Sequence, residues 1–251
     1  MRGPLSYIGG KNRLADQIIR LFPEHTTYVE AFAGGAQVFF RKEPSKVEVL
    51  NDLDGEVVNF YRVLQWHYDE LIRHFKFALV SRKQFDLFKS TDPLMLTDVQ
   101  RAARYLYLQK TCYGGLVRKK NYSGNVIQPP GFNIKRLPQI IEDAHARLSR
   151  VQIESLPYED VLARYDRPTT FFYLDPPYMN KMLYRFNFER EDFESLVELL
   201  RRIKGKFLLS LNDVPEVRKL FTDFTIKTVE LHYTAQQKAG RRFKEVIIKN
   251  F

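Results

Sequence analysis

The chain has 251 residues, 44% hydrophobic and 28% charged, without a low-complexity tract; this excludes disorder and leaves room for one α/β domain with a smaller insertion. A formal net charge of +10 makes a polyanion the first partner to consider. The single cysteine excludes an intrachain disulfide and a cysteine-cluster zinc site, the five histidines lack metal-ligand spacing, and no segment approaches the ~20 apolar residues of a membrane span.

In chain order, "MRGPLSYIGGK" lacks the apolar core of a signal peptide, so a cytoplasmic protein is expected. Within it Gly9, Gly10 and Lys11 precede an amphipathic helix pattern. Amides at a helix start together with a lysine can hold a carboxylate, such as the amino-acid end of a cofactor. A first strand, "TYVEA" at 27–31, runs into Gly34 and Gly35 and then a helix pattern. Glycines at such a turn let backbone approach a ligand closely. A second strand, "KVEVLN" at 46–51, ends before Asp52, where nucleotide-binding folds place an acid on ribose hydroxyls. The turn lacks G-x-G-x-x-G spacing and there is no phosphate loop, so a ligand with ribose but no phosphate fits better, and S-adenosylmethionine is the obvious one.

From residue 62 to 150 the strand–helix alternation disappears. Helical patterns ("DELIRHFKFALVSRKQFDLF", "TDVQRAARYLYLQKT") lead into a turn-rich piece, "YGGLVRKKNYSGNVIQPPGFN", which predicts an inserted, mainly helical domain with a β-hairpin. Residues 1–61 and 151–251 then form the main domain. Between Arg101 and Arg150 ten basic residues face two acids. With tyrosines interleaved, a nucleic-acid surface is favoured over a merely solvated basic face. Arg118, Lys119, Lys120, Asn121 and Tyr122 are the candidates for reaching bases or phosphates. Arg241 and Arg242 are weaker phosphate candidates.

Strands resume with "VQIES" at 151–155, "TTFFYLD" at 169–175 and "KFLLSLN" at 206–212, with helix candidates between them. The final "TIKTVELHYT" and "FKEVIIKNF" leave no space for a helix and should pair antiparallel. Five parallel strands plus this terminal hairpin predict a seven-stranded mixed sheet. Asp175 then ends a parallel strand, where open α/β sheets bind ligands. Pro176 and Pro177 donate no N–H, so the Asp175 carboxylate and the Pro176 carbonyl can accept both hydrogens of a primary amine. That leaves the nitrogen lone pair free to attack a sulfonium methyl, with Tyr178 offering a face for a base. The exocyclic amine of a paired base is reachable only after the nucleotide is flipped out.

The ordered blocks "YIGGK", "VEAFAGGAQVFF", "LNDLD", "YLDPPY" and "FKEVIIKNF" resemble those of the Dam-like DNA adenine-N6 methyltransferases, over nearly the whole chain. The resemblance implies a Rossmann-like methyltransferase fold, double-stranded DNA as substrate and S-adenosylmethionine as cofactor. It implies cofactor contacts at Tyr7, Lys11, Glu30, Asp52 and Asp175, with Phe32, Gly34 and Gly35 beside them. It also implies that Asp175, Pro176, Pro177 and Tyr178 hold the adenine amino group, and that the insertion reads DNA. Lys119 and Lys120 stand where that family usually has tyrosine and asparagine, so GATC is not assumed as the target. A cognate restriction endonuclease is a candidate partner, and a bacterial or phage-infected cell the expected setting. Methylation of RNA adenine or of cytosine N4, and a non-catalytic DNA-binding relative, are the competing readings.

Overall fold

A computed structural model describes residues 1–9, 11, 12, 14–124, 127, 131–231 and 243–251. Gly10, Arg241 and Arg242 lie outside the described residues. The runs of β-branched and aromatic residues become β1 (Thr27–Glu30), β2 (Val47–Asn51), β3 (Gln152–Glu154), β4 (Thr170–Leu174), β5 (Lys206–Asn212), β6 (Thr225–Leu231) and β7 (Phe243–Lys249). They form one seven-stranded sheet in the order β3-β2-β1-β4-β5-β7-β6. The first five are parallel neighbours, while β7 pairs antiparallel with both β5 and β6. This is the seven-stranded mixed sheet predicted, with one addition: the last strand slots between β5 and β6. Strand order reverses between β1 and β4, the kind of switch point where open α/β sheets bind ligands.

Helices α1 (Ala15–Ile19) and α2 (Gln37–Arg41) flank β1 in sequence. Between β2 and β3 come α3 (Gly55–Trp66), α4 (Tyr68–Phe75), α5 (Arg82–Ser90), α6 (Asp98–Thr111) and α7 (Leu137–Leu148). Next are α8 (Tyr158–Tyr165) before β4, α9 (Arg190–Arg202) after it and α10 (Pro215–Leu220) after β5. Parallel strands buried on both faces read as continuous apolar runs, and every residue of β4 is buried. Alternate side chains serve two cores. Tyr28, Leu50, Phe171, Tyr173 and Leu208 pack with α1–α7, whereas Val29, Val49, Phe172, Leu174 and Leu209 pack with α8–α10.

Two local features depart from the periodicity. The long helical pattern at 69–88 divides into α4 and α5, because the Ser81 hydroxyl caps a new helix by accepting from the Gln84 amide at 3.1 Å. The Tyr107 hydroxyl holds the break open, donating toward the Leu79 and Ser81 carbonyls and accepting from the Ser81 amide. Among the described residues, the turn-rich piece after α6 closes through an isolated antiparallel bridge, Cys112 with Tyr122, rather than an extended ladder. The α3 helix runs through residue 62, and buried residues of α3–α7 belong to the same cluster as one face of the sheet.

Candidate active site

The C-terminal ends of β1, β2 and β4 open into a cleft of about 1120 Å³. Sites for one small ligand run to roughly 300–1,000 Å³, so this cleft accepts a nucleoside-sized molecule with volume to spare. Asp175 follows β4 directly, and its Oδ1 accepts from Lys11 Nζ at 2.7 Å and from Ser210 Oγ at 2.9 Å. Lys11 also donates to the Tyr178 hydroxyl at 2.6 Å and the Gly9 carbonyl at 3.3 Å. An ammonium has three donors, and all three are engaged by the protein. Burial alone would lower the Lys11 pKa, but Asp175 and then Glu245 outweigh it and hold it above the ordinary lysine range. Lys11 is thus the counter-ion of Asp175.

Pro176 is buried and Pro177 lines the cleft. Tyr178 is half-buried, with the Lys11 ammonium 4.7 Å from its ring centroid, so the ring expected to stack a base already carries a cation. Ser210 escaped the sequence reading. Its signal was a lone hydroxyl inside the apolar "KFLLSLN", and it is fully buried, with Tyr173 Oη 3.2 Å away.

The glycine turn lines the cleft and is shaped around Tyr7. A Cβ on Gly34 would come within 2.8 Å of the Tyr7 ring, and one on Gly35 within 2.8 Å of Tyr7 Cβ. Gly34 also has φ +46°, the left-handed region that side chains resist. The glycines therefore admit Tyr7 against the turn. Asp52 Oδ2 accepts from the Gly34 amide and Oδ1 from the Asp54 amide, both at 2.8 Å, and Tyr61 Oη donates to the Gly34 carbonyl at 2.8 Å. Burial pushes the Asp52 carboxyl up to about 6, against the lowering effect of those amides. Burial likewise raises Glu30 to about 8, although Tyr28 donates to it at 2.7 Å.

Beside Asp52, Phe32 packs with Tyr158 and Phe188 at ring separations of 5.3–5.7 Å, an apolar aromatic wall suited to a flat heterocycle. Asn51 clips the cleft's loops together: its amide nitrogen donates to the carbonyls of Ala31 and Leu156, and its oxygen accepts from the Leu156 amide. The Tyr105 hydroxyl, on a side chain that lines the cleft and is 4% exposed, has no hydrogen-bond partner among the described residues. With Asp52 and the aromatic wall it offers the cleft a polar group compatible with a ribose-bearing cofactor. The segment after Tyr178 also reaches the cleft. Tyr184 Oη donates to the Ile8 carbonyl at 3.2 Å, and Arg185 lies 3.6 Å from Asp54.

Of the five candidates for DNA contact, Arg118, Lys119 and Lys120 line the cleft and Asn121 and Tyr122 do not. Arg118 and Lys119 are exposed, and Lys119 has φ +49°. Lys120 turns inward, where burial lowers its pKa to about 8. Tyr122 packs on Phe85 at 5.6 Å, with Arg82 4.9 Å from its ring centroid. Among the described residues no group of three or more His, Cys, Asp or Glu is placed to hold a metal ion, and no helix is long and apolar enough to cross a membrane.

Comparison with known proteins agrees with this chemistry. A model of the D12 class N6 adenine-specific DNA methyltransferases matches residues 7–235. The chain is 28% identical to a type II methyltransferase of Lactococcus lactis subsp. cremoris, over 98% of this chain and 94% of that one. It is 26% identical to a type II methyltransferase of Paramecium bursaria Chlorella virus NC1A, over the full length of both. It is 27% identical to the DNA adenine methylase of Escherichia coli (strain K12), over 97% of this chain and 92% of that one. A family match across most of the chain, on a sheet whose switch point carries Asp-Pro-Pro-Tyr, means that the protein belongs to the D12 class of N6 adenine-specific DNA methyltransferases.

Proposed function

We propose that the cleft holds S-adenosylmethionine and a flipped-out adenine together, and that residues 175–178 carry the transfer. Bound there, the cofactor supplies an electrophilic methyl group on a sulfonium. The observation that carries the reading is the state of Asp175: a carboxylate at the switch point, fixed on one oxygen by Lys11 and Ser210. With Oδ1 so engaged, Oδ2 faces the incoming N6 amine. The Pro176 carbonyl would accept a hydrogen bond from the second N–H, and both acceptors would stabilise the positive charge on nitrogen as the methyl carbon exchanges its bond to sulfur for one to nitrogen and the neutral thioether departs. Lys11 holds the Asp175 carboxylate in place.

For the cofactor, Asp52 accepts from the ribose hydroxyls, and the Phe32, Tyr158 and Phe188 wall packs on its base. Glu30 is a further cofactor contact lining the cleft, and Tyr7 with Gly9, Gly34 and Gly35 forms the adjoining backbone wall. Residues 62–150 read the duplex, with Arg118, Lys119, Asn121 and Tyr122 as the candidate contacts and Lys120 considered below. Double-stranded DNA in the cytoplasm of a bacterial or phage-infected cell is the substrate, with a cognate endonuclease as a candidate partner. The test is incorporation of labelled methyl from S-adenosylmethionine into duplex DNA, followed by sequencing of the modified positions. Wild type should label adenine N6, and Asp175→Ala should not; equal labelling by both would refute the assignment of Asp175.

A further inference from the structure

Gln109 is fully buried on α6, yet both ends of its amide are engaged with separate parts of the chain. Its Oε1 accepts from Lys120 Nζ at 2.5 Å, and its Nε2 donates to the Ser6 carbonyl at 3.1 Å. A second tie lies alongside. The Ile8 amide donates to the Gly115 carbonyl at 3.0 Å, and a Cβ on Gly115 would stand 2.8 Å from the backbone of Ser6 and Tyr7. The loop at 113–121 is thereby fastened at both its start and its end to the segment that lays Tyr7 against the glycine turn. Lys120 is further committed by its position 4.8 Å from the Tyr105 ring centroid, on the residue whose hydroxyl lacks a partner among the described residues.

We propose that Gln109 and Lys120 are positioning residues that join the DNA-reading loop to the cofactor wall, so that target binding and cofactor binding strengthen each other. A lysine turned inward onto a buried amide oxygen is poorly placed to neutralise a phosphate. If engagement of the target moves the loop, the displacement reaches Tyr7 through Ser6 and Ile8, because a packed contact with no free space transmits movement. Coupling of this kind is reciprocal and usually amounts to roughly 5- to 150-fold in affinity. The inference rests on the reading above, that the loop contacts DNA and the cleft binds S-adenosylmethionine.

The experiment measures binding of S-adenosylhomocysteine to the full chain with and without a duplex containing the methylated site, and the salt dependence of duplex binding. Wild type should bind S-adenosylhomocysteine on the order of tenfold tighter with the duplex present. Lys120→Met and Gln109→Leu should each reduce that factor toward one, and Lys120→Met should leave the log–log salt slope unchanged. Because Gln109 is buried, Lys120→Met is the arbiter if Gln109→Leu does not fold. A slope reduced by about 0.9, the contribution of one lost phosphate contact, would overturn the proposal, as would coupling that persists in Lys120→Met or is absent from wild type. Failure of wild type to bind S-adenosylhomocysteine or to methylate any duplex would instead remove the underlying reading.

Discussion

Asp175 shows how little a residue's identity determines without its neighbours. Asp175→Ala removes an acceptor aimed at developing charge, a change that typically costs about 10²- to 10³-fold in turnover, and should do so with cofactor affinity largely retained. Ser210→Ala removes one of the two bonds on Oδ1. A single such bond is worth roughly 0.5–1.5 kcal/mol, more where an ion is involved, so turnover should fall several-fold while the thermal midpoint moves little. Glu30 makes a sharper statement. Its folded pKa of about 8 exceeds the ordinary 4.5, so between those values the folded state holds a proton that the unfolded chain has released. Stability from this group therefore falls as pH rises through that window. Glu30→Gln should match wild type in urea unfolding near pH 4.5 and exceed it increasingly toward pH 8; an advantage independent of pH would contradict the buried carboxyl. The acids at 30, 52 and 175 were legible because each stands at or beside a strand's end. Ser210 and Gln109 were not, because a lone polar residue in an apolar run gains meaning only from the partner brought to it.

Among elements, strands were far more legible than the helices between β2 and β3. A parallel strand buried on both faces writes itself as an unbroken run of β-formers, and β4 and β5 fall within a residue of their expected limits. Between α4 and α5 the periodicity continues while the helix does not, since Ser81 offers the backbone a competing bond. Loss of an N-cap costs about 0.5–2 kcal/mol, so Ser81→Ala should lower stability by that amount in urea unfolding, with methylation of the intact duplex preserved below the transition. The loop at 113–121 belongs to this scale as well. Arg118 and Lys119 are exposed where they meet the cleft rim. Replacing both with alanine should flatten the log–log salt slope of DNA binding by up to about 1.8, at about 0.9 per phosphate contact. An unchanged slope would move the DNA surface elsewhere.

At the scale of the molecule, the helices of 62–150 and one face of the sheet share a buried cluster that includes Phe60, Leu106, Leu148 and Phe171. A shared core unfolds together, so the chain should melt in one transition. Leu106→Ala, at a fully buried position, should destabilise it by about 2–5 kcal/mol. Two separate transitions by calorimetry would show instead that the helices of 62–150 are energetically independent of the sheet. By itself the sequence determined the seven strands, the terminal antiparallel pair and the acids at their ends, because an unbroken run of β-formers and the turn chemistry that bounds it are local signals. Only the tertiary structure decided that β7 lies between β5 and β6, that Lys11 is spent on Asp175, and that the glycine turn makes room for Tyr7. Those outcomes depend on contacts between residues far apart in the chain, such as Lys11 with Asp175, and no local pattern records which distant side chain will complete a site.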